Sequence, residues 1–280
     1  MKTVLVPTED HDSMAAVLET ARLIASRFDS YIEGFPVRPA VGNFVAIEPV
    51  SSLAIPSVDE GDAELARQAQ TLFESFMQAH GVPHAEPGQQ QATYSYGWPR
   101  AAAEDDEFVG AYGRLFDLIV LGRPGRAAQN ARMPPLEAAL FDSGRPVLIA
   151  PPAAPQGLAR KILVAWNGST EQARATAFAM PLLRQADQVT VVTVEGGMTP
   201  GPSGEEFARY LRRNDIGAAA IHVAPGGRST GEAILDQAKS LGCDLLVKGA
   251  YTQSRLRQMM FGGATRHILA NATLPVLMAH

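Results

Sequence analysis

The sequence predicts an α/β protein made of two repeated, doubly wound parallel-sheet domains. Three observations predict it. The chain repeats its own landmarks in order, each copy alternates short apolar runs with helical periods, and 280 residues suit two domains. Val4-Leu5-Val6 is echoed by Ile162-Leu163-Val164, Asp117-Leu118-Ile119-Val120-Leu121-Gly122 by Asp244-Leu245-Leu246-Val247-Lys248-Gly249, and Pro146-Val147-Leu148 by Pro275-Val276-Leu277. The first copy holds roughly 30 extra residues between its first two landmarks. A stiff proline-rich stretch at 151–157 separates the copies, giving domains over 1–152 and 158–280.

In the first copy, strands are expected at 2–7, 31–37, 91–95, 117–121 and 147–150, and helices at 13–28, 60–80, 99–113 and 134–142. Met14, Val17, Leu18, Ala21, Ile24, Ala25 and Phe28 share one helical face. Residues 38–58 have no clear period and read as a long loop insertion. In the second copy, the apolar run 161–165 reads as a strand. Ser169 with Gln172 fits a capping box opening a helix, and Pro181 is expected to kink or restart it. The β-branched run 188–194 reads as a strand buried on both faces. A helix at 203–213, a strand at 218–223, a helix capped by Thr230, a strand at 244–248, a helix at 264–270 and a strand at 275–279 follow. Each copy is therefore βαβαβαβαβ, which implies a parallel sheet with helices on both faces.

Lys plus Arg number 24 and Asp plus Glu 29, a net charge of −5 that argues against a nucleic-acid binder. With 46% hydrophobic and 19% charged residues the chain can bury a sizeable core. Cys243 is the one cysteine, which excludes an intrachain disulfide and disfavours a cysteine-based zinc site. The short apolar start followed by acids is unlike a signal peptide, and no segment approaches the ~18 apolar residues of a spanning helix. A soluble cytoplasmic protein is expected.

Ligands of open α/β sheets bind outside the carboxyl ends of the strands. In the second copy that edge carries Trp166-Asn167-Gly168-Ser169, Gly226-Gly227-Arg228-Ser229-Thr230, Lys248-Gly249-Ala250 and Gly262-Gly263-Ala264. Glycines before a helix expose backbone N–H groups at the positive end of its dipole, which suits phosphate, and Lys248 adds a point charge. The same glycines equally serve as plain strand ends and helix starts.

The doubled unit, with its Asp-Leu-Leu-Val-x-Gly and terminal Pro-Val-Leu, resembles the universal stress protein family in tandem form. The stretches ILVAWNGSTEQARA and KGAYTQSRLRQMMFGGATRHILANATLPVLM carry the likeness most specifically. The resemblance implies Rossmann-like domains and, in nucleotide-binding members, a Gly-x-x-Gly followed nine residues later by Gly-Ser or Gly-Thr, with an Asp ending the first strand. Here Gly249 matches the first glycine, Thr252 replaces the second, Gly262 matches the third, Gly263 stands for the hydroxyl residue and Asn167 for the Asp. In the first copy Gly122 and Gly125 match, Pro135 and Leu136 do not, and Glu9 takes the Asp position. The resemblance thus implies ATP or AMP on the second copy, through Asn167, Lys248, Gly249, Gly262, Gly263 and Ala264, and a degenerate first-copy site at Glu9, Gly122 and Gly125.

No hydrolase elbow, Walker loop or zincin motif occurs. His80 and His84 are separated by Gly81 and Pro83 and are not expected to hold a metal. His267 reads as a helix residue at an interface, Glu104-Asp105-Asp106 as a solvated face, and Cys243 as buried and inert. Trp166 reads either as packing or as a base stacker. Three function classes stay open: a nucleotide-sensing regulator, a non-nucleotide-binding interaction protein on the same fold, and a small-molecule hydrolase or carrier. The apolar final strands, 147–150 and 275–279, are expected to pair with each other inside one chain, leaving a homodimer of whole chains open. No nucleic-acid or membrane partner is expected.

Overall fold

The computed structural model describes residues 1–39, 58–85, 92–100, 102–125, 129–250 and 263–280. The first half contains β1 (Thr3–Thr8), α1 (Met14–Phe28), β2 (Tyr31–Pro36), α2 (Val58–Ala79), β3 (Ser95–Gly97), α3 (Asp106–Gly113), β4 (Leu118–Leu121), α4 (Met133–Asp142) and β5 (Val147–Ile149). The second contains β6 (Lys161–Ala165), α5 (Thr170–Leu183), β7 (Gln188–Val194), α6 (Gly204–Arg212), β8 (Ala218–Val223), α7 (Thr230–Ser240), β9 (Leu245–Gly249), α8 (Gly263–Asn271) and β10 (Val276–Ala279).

All ten strands join one sheet in the order β3-β2-β1-β4-β5-β10-β9-β6-β7-β8. Within each half the pairing is parallel. The join between halves is antiparallel, with Leu277 opposite Leu148 and flanked by Val276–Ile149 and Met278–Val147. The two halves are thus related by a pseudo-twofold axis at that leucine pair, and their carboxyl edges face opposite ways.

The strands are buried on both faces, as a doubly covered parallel sheet requires. Val4 and Val6 of β1 join one apolar layer and Leu5 the other, because successive side chains point to opposite faces. Each layer runs without a break from the first half into the second. Two arginines tie the halves further. Arg27, ending α1, donates to Leu158 O, Ala159 O, Gln185 O and Gln185 Oε1, and Arg123 donates to Ala272 O.

The repeated aspartates have the same job in both halves. Asp117 Oδ2 accepts from the backbone N–H groups of Lys2 (2.5 Å) and Thr3 (3.2 Å). Asp244 accepts from those of Arg160 (3.0 Å) and Lys161 (2.8 Å). Each latches the start of the first strand of its half to the start of the fourth.

Several boundaries differ from expectation. The strand expected at 91–95 lies at Ser95–Gly97. The helix expected at 99–113 begins at Asp106, because the Asp105 carboxylate caps it by accepting from Phe108 N (3.0 Å) and Glu104 bridges to Val37 instead. Pro181 does not restart its helix, which runs through it to Leu183. It lies two residues from the end of α5, where its missing N–H leaves only one late bond unmade. Ser229, not Thr230, caps α7, accepting from Glu232 N. Most of the 38–58 insertion, residues 40–57, lies outside the described residues.

Candidate functional site at the carboxyl edges

In the second half the carboxyl ends of β6 and β9 meet the first turns of α5 and α8. Asn167 leaves β6 and accepts from Ser169 N through Oδ1 (3.1 Å), an Asx turn that leads into the Ser169 cap of α5. Gly168 takes φ +81°, open to glycine at no steric cost. The loop after β7 is pinned on this turn. Thr199 N and Oγ1 both donate to Asn167 O (2.8 and 3.0 Å), and Gly201 packs on Gly168.

Gly249 ends β9 against the start of α5. A Cβ there would lie 2.6 Å from the Glu171 carbonyl carbon, so only glycine lets helix and strand approach this closely. Its N–H donates to Gln172 Oε1 (2.7 Å) and is therefore occupied internally. Gln172 was expected to complete a capping box. Its backbone N–H does bond Ser169 Oγ, but its side chain turns to Gly249 and Val247 O instead. It is 1% exposed, and this cross-brace is a site residue that sequence reasoning missed.

Lys248 is 8% exposed. Its Nζ donates to Gly249 O (2.7 Å) and Thr265 Oγ1 (3.2 Å) beneath the first turn of α8. Burial pushes its pKa down to about 8, against a smaller upward pull from Glu171. Among the described residues no carboxylate lies within ion-pair distance of it. Gly263 and Ala264 open α8 with Gly263 exposed. Gly262 and Thr252 lie outside the described residues.

The first half fills the equivalent place with its own side chains. Gly122 lies against His11, and a Cβ there would come within 2.8 Å of the imidazole Cε1. Burial holds the His11 pKa below its usual value. Gly125 N donates to Ala131 O, so its donor too is occupied. Arg132 stands at the N-cap of α4, followed by Met133 and two prolines, and bonds both Glu9 (2.5 Å) and Asp106 (2.8 Å). Burial raises the Glu9 pKa, while Arg132 pulls it back down. The reading of Glu104-Asp105-Asp106 as a solvated face is corrected: Asp106 is 6% exposed and paired, and Asp105 is a helix cap. Arg132 carried no sequence signal, because its partners are far away along the chain.

The other singled-out residues have local roles. Trp166 is 6% exposed and stacks on Phe207 at 3.8 Å, so one face of its ring is taken up by packing. His80 stacks on Phe76, and His84 meets the edge of Tyr96. The His267 Cβ packs near Gly231, between α8 and α7. Cys243 is half-buried, and burial pushes its thiol up to about 11, which keeps it protonated and unreactive. Among the described residues no cluster of three metal-ligating side chains occurs, and no helix is long and apolar enough to cross a membrane.

The fold defines a tandem Rossmann-like protein whose first-half edge is occupied by Arg132 and its two carboxylates. Residues 159–280 match the Universal stress protein family. Solved structures extend the likeness to the whole chain. A universal stress protein from Archaeoglobus fulgidus DSM 4304 superposes with TM-score 0.67 at 15% identity, covering 99% of this chain and 97% of that one. A functionally unknown protein from Pseudomonas aeruginosa PAO1 superposes with TM-score 0.57 at 17% identity, covering 100% and 92%. At such identities the likeness is one of fold. No curated protein matches the chain.

Proposed function

We propose that the second half binds the phosphates of an adenine nucleotide, ATP or AMP, at the N-terminus of α8, and that the chain is a cytoplasmic universal-stress-type regulator that changes partner binding with its nucleotide state. Lys248 carries this reading. A buried ammonium is costly unless an opposite charge balances it, and its two acceptors here are neutral. The positive end of α8 lies above it, which adds to the cost. In sequence, the connecting segment 251–262 contains Arg255 and Arg257 and no acid. An anion over this turn balances the Lys248 charge and the positive end of α8 together. Asn167 Nδ2, with no bond among the described residues, is left to meet a sugar hydroxyl, and Gly262, Gly263 and Ala264 supply backbone donors. In the first half Arg132 already supplies the balancing charge to Glu9 and Asp106, so that half acts as a structural partner.

Thermal unfolding with ATP, AMP and a non-adenine nucleotide tests this. A ligand at 100 times its Kd adds ~2.7 kcal/mol, several degrees for a domain of this size. The expected result is an upward shift with adenine nucleotides that disappears in Lys248→Met. No shift at millimolar nucleotide, or an equal shift in the variant, overturns the reading. One observation favours the second reading, an interaction protein without nucleotide: the Gly249 N–H is occupied by Gln172 and the Asn167 carbonyl by Thr199. A null titration selects it.

A further inference from the structure

The second half has another concavity, on the α5–α6 side and independent of the nucleotide reading. It is a cavity of about 360 Å³, within the range of small-ligand sites. Its floor is the Trp166–Phe207 stack, with planes 7° apart. Ala173 and Ala177 of α5 form one wall and leave it open, because neither side chain extends past Cβ. Tyr210, 48% exposed, forms the opposite rim, stacked in turn on Phe207 at 5.8 Å.

Two polar groups of the cavity floor and wall are already spent. Trp166 Nε1 donates to Pro202 O (2.8 Å), and Thr176 Oγ1 donates to Gln172 O (2.9 Å). A ligand therefore meets an aromatic and aliphatic floor whose own polar groups are bonded internally, with the Tyr210 hydroxyl at the rim. Glu206 is the one charged residue lining it. Its Oε2 is held by Ser203 N and Oγ (both 2.8 Å) in the capping box of α6, which fixes the carboxylate at the rim. Those bonds hold its pKa below the usual carboxylate value, so it stays ionised.

We infer that this cavity is a binding site for a small aromatic ammonium compound, its ring on the Trp166–Phe207–Tyr210 surface and its cation beside Glu206. A flat apolar ring fits a floor without free polar groups. A positive charge is the one complement to the rim, and the exposed Tyr210 face attracts cations as well.

The test uses the whole protein and three probes of one ring size: 2-phenylethylamine, 2-phenylethanol and 3-phenylpropionate. Affinity is measured by calorimetric titration. The amine is expected to bind roughly fivefold tighter than the alcohol, the size of a partly exposed charge pairing, and the acid weakest. Ala177→Phe, at an exposed helix position, fills the wall and is expected to abolish binding of all three. Glu206→Gln keeps the cap, since glutamine also closes a capping box, and is expected to erase the preference for the amine. Equal binding of the three probes, or a preference that survives Glu206→Gln, overturns the cation assignment. No binding by the wild type, or undiminished binding by Ala177→Phe, overturns the site.

Discussion

At the residue scale, Lys248 makes a measurable prediction. Its folded pKa is about 8, and the unfolded value is 10.5. Between those values the unfolded chain binds more protons than the folded one, so stability rises with pH across that window. The gap corresponds to about 3 kcal/mol for an isolated site. Urea denaturation midpoints taken from pH 7 to 10.5 are expected to climb in the wild type relative to Lys248→Met. Bound nucleotide phosphate is expected to flatten the climb by holding the ammonium charged. Gly249 gives a second prediction. Gly249→Ala pushes a methyl into the backbone of α5 and is expected to cost 1–3 kcal/mol, the usual range for overpacking, whether or not nucleotide is present. The repeated glycines were legible in the sequence because they recur. Their reason was not, since Gly249 touches α5, and Gly122 touches His11, across gaps that no local pattern spans. Gln172 and Arg132 escaped for the same reason: a buried amide and a part-buried guanidinium are recognised by their partners, and Gly249 and Glu9 lie 77 and 123 residues away.

At the element scale, periodicity located nearly every strand and helix, because buried strands and one-sided helices leave strong apolar spacing. The misplaced ends were decided by single hydrogen bonds. Asp105 begins α3 later than its apolar period suggests, and Ser229 captures α7 one residue before Thr230. Where both halves of a capping box form, the effect is local and testable. Ser203→Ala at the N-cap of α6 removes the acceptor of Glu206 N and the hydroxyl donor to the Glu206 carboxylate, leaving the backbone N–H of residue 203 as its one capping donor. It is expected to lower stability by about 1 kcal/mol, read as a shift in urea midpoint at constant slope.

At the scale of the whole molecule, the β5–β10 ladder and the arginines Arg27 and Arg123 merge the two units into one sheet. The isolated second unit, residues 158–280, would leave β10 as an unpaired apolar edge of four buried residues. Such an edge seeks a partner strand. This fragment is therefore expected to sediment as a dimer, with β10 pairing its own copy around Leu277, and Leu277→Lys is expected to make it monomeric or insoluble. A monomeric wild-type fragment would contradict this. The tandem organisation was visible in the repeat itself, whereas the antiparallel sense of the join depends on a twofold relation that one-dimensional spacing does not carry.

The covalent tether has one more consequence. In a dimer of identical subunits every substitution appears twice, so a cleft cannot be plugged on one side and kept on the other. Here a single chain supplies both sides of the twofold, and each change is written once. Arg132 closes one cleft with its own ion pairs while Lys248 leaves the other short of a negative charge. The proposed nucleotide site therefore predicts one nucleotide per chain, bound in the second half, while Arg123 and the leucine pair at the seam hold the first half to it.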